Sequence, residues 1–156
     1  MSRFSSRLAV QNEALEYYID EQLAWTTPID AILLIAEYTT NAGPYVDDYF
    51  IQLWSLEDGV RLRATITFYS DGRDDAFREL ATQMKADLSF GLLGSTEWDS
   101  RILWPPPLSG HKYFAFREIK PVTWKEKLSH RFFGPSQEYF LTEEAQAFLK
   151  THIAGG

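Results

Sequence analysis

From Val60 to Phe68 the side chains alternate without a break. Val60, Leu62, Ala64, Ile66 and Phe68 fall on one side, and Arg61, Arg63, Thr65 and Thr67 on the other. A period of two marks a strand with one face buried. The Asp58-Gly59 pair just ahead of it supplies a hairpin turn. Upstream, "VDDYFIQLW" (46–54) is aromatic and β-branched enough to be the partner strand. "AILLIAEY" (31–38) is nearly continuously apolar, as a strand covered on both faces would be. With "NAGP" and "LEDG" as turns, residues 30–69 read as a three-stranded antiparallel meander.

A helix is predicted near 73–86. Phe77, Leu80, Ala81, Met84 and Leu88 recur at helical spacing, Asp71 can cap the start, and Asp74 and Asp75 suit the first turn. The acidic cluster "DGRDD" therefore needs no calcium, and its spacing fails the EF-hand pattern. At the N-terminus, "ALEYYI" and "QLAWT" flank an Asp-Glu turn and read as a hairpin. The alternative is a helix capped by Asn12 with Leu15, Tyr18, Ile19 and Leu23 inward.

This succession of short antiparallel strands ending in a helix loosely resembles a pleckstrin-homology roll, with no motif to support membership. Beyond residue 90, "SRILW" and "KYFAFREI" are predicted strands separated by "PPPLSG". The amphipathic "TWKEKLSHRFF" leads to "GPS". A last helix is predicted near 143–152, with Thr142 as cap, Glu143 and Glu144 in its first turn and Lys150 near its end; Ala145, Phe148, Leu149 and His152 share a face. The expected fold class is α+β, mainly antiparallel sheet, in one domain spanning 1–156.

Composition narrows the function. With 45% apolar residues, 11 Phe, 8 Tyr and 5 Trp, the chain can bury a sizeable core. It has no cysteine, which excludes disulfides, a thiol nucleophile and Cys-ligated metal, and fits a reducing compartment. No apolar run approaches the roughly 20 residues that span a bilayer, and the N-terminus lacks a signal-peptide apolar block. A cytoplasmic location with no membrane association is expected. A formal charge of −7 argues against nucleic acid. The densest basic stretch, "KEKLSHR", reads as a solvated helix face.

Catalytic signatures are weak. His111, His130 and His152 show no metal-ligand spacing, and "LLGSTEWDS" and "LSGHKY" hold triad residue types without a nucleophile elbow. "FGLLGS" lacks the rest of a phosphate loop, and the closing "AGG" reads as a helix stop. No metal or cofactor is expected.

The acids around the first turn raise the sharper question. Asp47 and Asp48 are neighbours in a strand and point to opposite faces. A turn at Ala42–Gly43 would put Glu37 opposite Asp48, an unfavourable pairing that solvent, a cation or a shared proton would have to relieve. The following hairpin would set Arg61 beside Trp54, Arg63 beside Gln52 and Thr67 beside Asp48. One sheet face would then hold Ile32, Leu34, Ala36, Tyr49, Ile51 and Leu53 with the apolar row 62–68. The other would mix Glu37, Asp48, Phe50, Gln52, Trp54, Arg61 and Arg63.

Two functions follow. The first is a non-catalytic cytoplasmic interaction domain, binding a protein partner or forming a homodimer, with Trp98, Trp104 and Tyr113 as contacts around an extended Pro-rich segment. The alternative is a small-ligand-binding or metal-assisted hydrolytic protein. It would use Glu37, Asp48, Arg61, Arg63 and Trp54 as ligand-binding residues.

Overall fold

A computed structural model of the chain describes residues 5–40, 48–93, 95, 98–118, 124–125 and 137–154. The architecture is α+β with antiparallel sheets. It opens with a three-stranded meander, β1 (Ser6–Gln11), β2 (Ala14–Ile19) and β3 (Gln22–Pro28). The expected hairpin is β2–β3, and β1 is an added strand. Both turns have two residues at positive φ, Asn12-Glu13 and Asp20-Glu21, the backbone that matches the twist of flanking strands. Asn12 therefore sits in a hairpin turn and caps no helix.

The central sheet has four strands in the order β6-β5-β4-β7: β4 (Ile32–Thr39), β5 (Tyr49–Glu57), β6 (Val60–Thr67) and β7 (Asp99–Trp104). The meander read from residues 30–69 is thus three of its strands. Strand β7 returns beside β4 after the helix α1 (Arg73–Met84). A third sheet pairs β8 (Phe114–Glu118) with β9 (Gln137–Leu141), and α2 (Glu143–Ala154) closes the described chain. The "NAGP" turn, Asp47, "KEKLSHR" beyond Lys125, His130, "GPS" and the terminal Gly-Gly lie outside the described residues.

The central sheet is packed on both faces. On one, Ile35, Tyr49, Ile51, Leu53, Ile66 and Phe68 meet Phe77 and Leu80 of α1 and Leu8 and Leu15 of the meander. On the other, Leu34, Ala36, Tyr38 and Trp54 meet Tyr113, Phe114, Ala145 and Leu149. Two layers of helix and strand around one sheet remove several large aromatic side chains from water, each contributing roughly 1.5–3 kcal/mol.

Register overturns the expected pairing of the acids. Glu37 lies opposite Ile51, and Tyr38 opposite Phe50. That is three residues away from the register that would set Glu37 against Asp48. An odd displacement exchanges faces, so Leu34 and Ala36 go to the Trp54 side while Ile35 and Glu37 go to the helix side. A bulge at Leu33 adds to this, leaving Ile32 on the helix side and turning Leu33 and Leu34 to the other. The β5–β6 pairing is displaced by two: Arg61 faces Leu56, Arg63 faces Trp54 and Thr67 faces Phe50. An even displacement keeps the faces, so the expected division of those two strands stands.

Two local expectations are also corrected. Helix α1 is preceded by Gly72 in the left-handed region (φ 73°), with no side-chain cap from Asp71. The Asp71 backbone instead bonds β1, accepting from Leu8 N–H at 2.8 Å and donating to Ser6 C=O at 2.9 Å. The Pro-rich segment does not stay extended: Pro106–Leu108 form a 3₁₀ turn closed by Leu108 N–H on Pro105 C=O. Proline fixes φ near −65°, which suits a 3₁₀ turn as well as an extended helix; the backbone bond decides ψ. Thr142 does cap α2, accepting from Ala145 N–H at 3.4 Å.

Candidate functional site

The carboxylate of Glu37 is fully buried on the helix side of β4. It accepts from Tyr49 Oη (2.6 Å), Gly91 N–H (3.0 and 3.1 Å to its two oxygens), Leu92 N–H (2.8 Å) and Arg101 Nη2 (3.2 Å). Arg101 also donates to Ser89 C=O. Four donors around one carboxylate, one of them shared between its two oxygens, leave little capacity for a ligand. Their effect is to tie residues 89–92 to the central sheet. Asp48 lies elsewhere, at the entry to β5, accepting from Tyr69 Oη at 2.7 Å. The two acids proposed as a pair are therefore held by separate partners. Among the described residues no three His, Asp or Glu side chains come together as metal ligands.

The other sheet face does bring Trp54, Arg61 and Arg63 together. The Arg61 and Arg63 guanidinium carbons lie 5.2 and 5.5 Å from the Trp54 ring centroid, within cation–π range. Beneath them runs a hydrogen-bond relay. Trp54 Nε1–H donates to Tyr113 Oη (2.7 Å), Tyr113 Oη donates to Gln52, and Gln52 Nε2 donates to Thr65 Oγ1 (3.0 Å). Tyr113 is fully buried in this relay, so it serves as a strut under the face and offers a partner no surface. Trp104 is half-buried and packs against the helix-side core from the end of β7, and Trp98 is half-buried just ahead of β7. Neither joins the Trp54 cluster.

Arg61 and Arg63 are set apart by their lack of ion pairs. Arg7, Arg73, Arg78 and Arg101 each face a carboxylate within 3.5 Å. Among the described residues no acid pairs with Arg61 or Arg63, in a chain with 22 acidic and 15 basic residues. Cation–π attraction to the Trp54 ring draws both guanidinium groups to that face.

Backbone geometry adds a second property to the same place. Phe68 N–H donates to Tyr49 C=O at 2.9 Å, which makes 49 and 68 a hydrogen-bonded pair. The antiparallel ladder alternates, so Val60, Leu62, Ala64 and Ile66 bond β5. Arg61, Arg63 and Thr65 turn their N–H and C=O groups to the outer edge. No described backbone group meets them there. The opposite edge of the sheet is closed: Ile102 of β7 donates to His111 C=O and accepts from Gly110 N–H. In the meander, β1 is bridged by Asp71, and β3 carries a bulge and ends in Pro28. Strand β6 has neither bulge nor proline, and Val60 and Leu62 beside it are about half exposed.

A cleft of about 940 Å³ lies between residues 110–112 and the start of α2. Three of its lining side chains are already engaged: His111 Nδ1 sits 2.8 Å from Glu144 Oε2, and Lys112 pairs with Asp99. No family model, curated protein or solved structure matches this chain.

Both buried hydroxyls beneath these sites titrate far from the ordinary tyrosine range. Burial is the main cause at Tyr49, reinforced by the bond to Glu37, and its pKa is pushed well up. Burial likewise raises Tyr113, against the opposing bond from Trp54. The folded chain therefore holds these protons after the unfolded chain has lost them. Stability is full below about pH 10 and falls as the pH rises above it. In a phenolate-absorbance titration, the Tyr49 and Tyr113 contributions are expected only together with loss of the near-UV circular dichroism. Ionisation of every tyrosine in an intact fold would refute this.

Proposed function

We propose that this protein is a non-catalytic binding domain that receives an extended segment of a partner protein on the free edge of β6. The observation that carries this reading is the coincidence of outward N–H and C=O groups at Arg61, Arg63 and Thr65 with two unpaired arginines. An exposed, regular strand edge is a template for strand addition, with main-chain bonds supplying affinity and alternate side chains specificity. A cytoplasmic setting belongs to this proposal, supported by the absence of cysteine. Self-association through β6 is disfavoured, because any two-fold pairing collects four guanidinium groups on one sheet face.

Proline substitutions at adjacent positions test the reading. Thr65 points its N–H outward, so Thr65→Pro removes no β5–β6 main-chain bond and only the side-chain bond from Gln52; Ala64→Pro removes a main-chain bond. Ala64→Pro is expected to cost about 3 kcal/mol in urea unfolding, and Thr65→Pro about 1–2 kcal/mol, mainly the lost acceptor of Gln52. Random octapeptides selected for binding to the wild-type chain should then fail to bind folded Thr65→Pro. Equal binding to both would place the working surface elsewhere.

A further inference from the structure

We infer that the strand received on β6 is acidic and antiparallel, with carboxylates at alternate positions separated by apolar residues. This rests on the reading of β6 as the binding edge and specifies what that edge selects. Residues directly opposite one another in an antiparallel pair share a sheet face. The incoming residues opposite Arg61 and Arg63 therefore emerge on the Trp54 side, beside the two guanidinium groups held near that ring. These are also the positions whose backbone groups exchange both bonds with β6. One incoming residue thus makes the main-chain bonds and presents its carboxylate to an arginine.

The residues between them face the other way. They meet Val60, Leu62 and Ala64, whose exposed apolar surface continues the helix-side core. The selected pattern is apolar–acid–apolar–acid–apolar. Guanidinium planes match carboxylates with two parallel N–H bonds, and the cation–π contact with Trp54 lowers the conformational freedom lost on binding. The chain as a whole is acidic, and Arg7, Arg73, Arg78 and Arg101 are paired, so a basic segment meets repulsion at β6 and attraction away from it.

The test uses the labelled peptide Thr-Val-Glu-Val-Glu-Val, whose residues would lie in order opposite Thr65, Ala64, Arg63, Leu62, Arg61 and Val60. Saturable binding to the full chain, read by fluorescence anisotropy, is the expected result. N-methylation of both glutamates, which blocks their main-chain donors and leaves the charges, should weaken binding at least tenfold. The double variant Arg61→Glu/Arg63→Glu should also lose at least tenfold, and should prefer the peptide in which lysines replace the glutamates. The N-methyl comparison uses the wild-type protein, so it stands whatever the variant's folding. Equal affinity of the N-methylated peptide would reduce the contact to charge attraction, and absence of saturable binding would also overturn the inference. Selected octapeptides that bind through Thr65 but carry no acids would overturn the acidic specificity alone, leaving β6 as the binding edge.

Discussion

Replacing Glu37 with alanine is expected to cost about 3–5 kcal/mol and lower the melting temperature by roughly 6–20 °C. The carboxylate is fully buried, and its loss orphans the Gly91 and Leu92 N–H groups, the Tyr49 hydroxyl and one arm of Arg101 together. Each unsatisfied buried donor carries a desolvation cost of about 1–3 kcal/mol. Such a loss is a large share of the roughly 5–15 kcal/mol that holds a typical domain folded. Glu37→Gln should recover only part of it, because an amide puts an N–H₂ group where an acceptor is needed. Arg101→Ala should cost less than Glu37→Ala, since the Arg101 side chain is 31% exposed and Glu37 keeps its other donors. Thermal melts of the three variants check the order. A Glu37→Ala variant within 1 °C of wild type would show that the network is dispensable.

Gly72→Ala is expected to be nearly as damaging, at about 2–4 kcal/mol. Gly72 has φ 73°, and an added Cβ would sit 2.6 Å from the Leu8 carbonyl oxygen. That oxygen is part of β1, which is bonded to Asp71 just ahead of it through Ser6 C=O and Leu8 N–H. Relief requires moving the meander away from the start of α1, so the cost is shared by two elements. Gly59 is the control. Its φ is 76°, but nothing lies within 4 Å of its would-be Cβ. Gly59→Ala should therefore cost only the left-handed penalty of about 1–2 kcal/mol. Urea midpoints for both variants distinguish the two contributions. Equal costs would mean that β1 yields freely at Leu8.

The candidate site combines features of different legibility. Arg61, Arg63 and Trp54 were readable together because β6 alternates strictly and the Asp58-Gly59 turn limits its pairing with β5. The two-residue displacement found there preserves parity, so the face survived an inexact register. The free edge of β6 was not readable. Its exposure depends on β7 returning from residue 99 to the far side of β4, a choice made by contacts across more than 60 residues of chain. The role of Tyr113 was likewise hidden. Its sequence neighbourhood places it near a loop, and only the packing of Tyr113 and Phe114 into the cluster around Trp54 buries it.

Strand β9 left little trace, since five residues with no clean alternation after a glycine and a proline give no period to detect. Strand β1 is similarly short, and its partner lies across a turn built on Asn12-Glu13, in place of the more familiar glycine pair.

By itself the sequence determined the α+β class, the β2–β3 and β5–β6 hairpins, both helices and the division of β6 into an apolar and an arginine face. Each rests on local periodicity or turn chemistry, which a few neighbouring residues suffice to express. Only the tertiary structure decided which way β4 faces. Its run from Ile32 to Tyr38 is apolar on both sides, because α1 covers one face and α2 with Tyr113 covers the other. A strand buried twice carries no phase in its pattern, and so Glu37 could be assigned to its true partners only once the layers above and below it were in place.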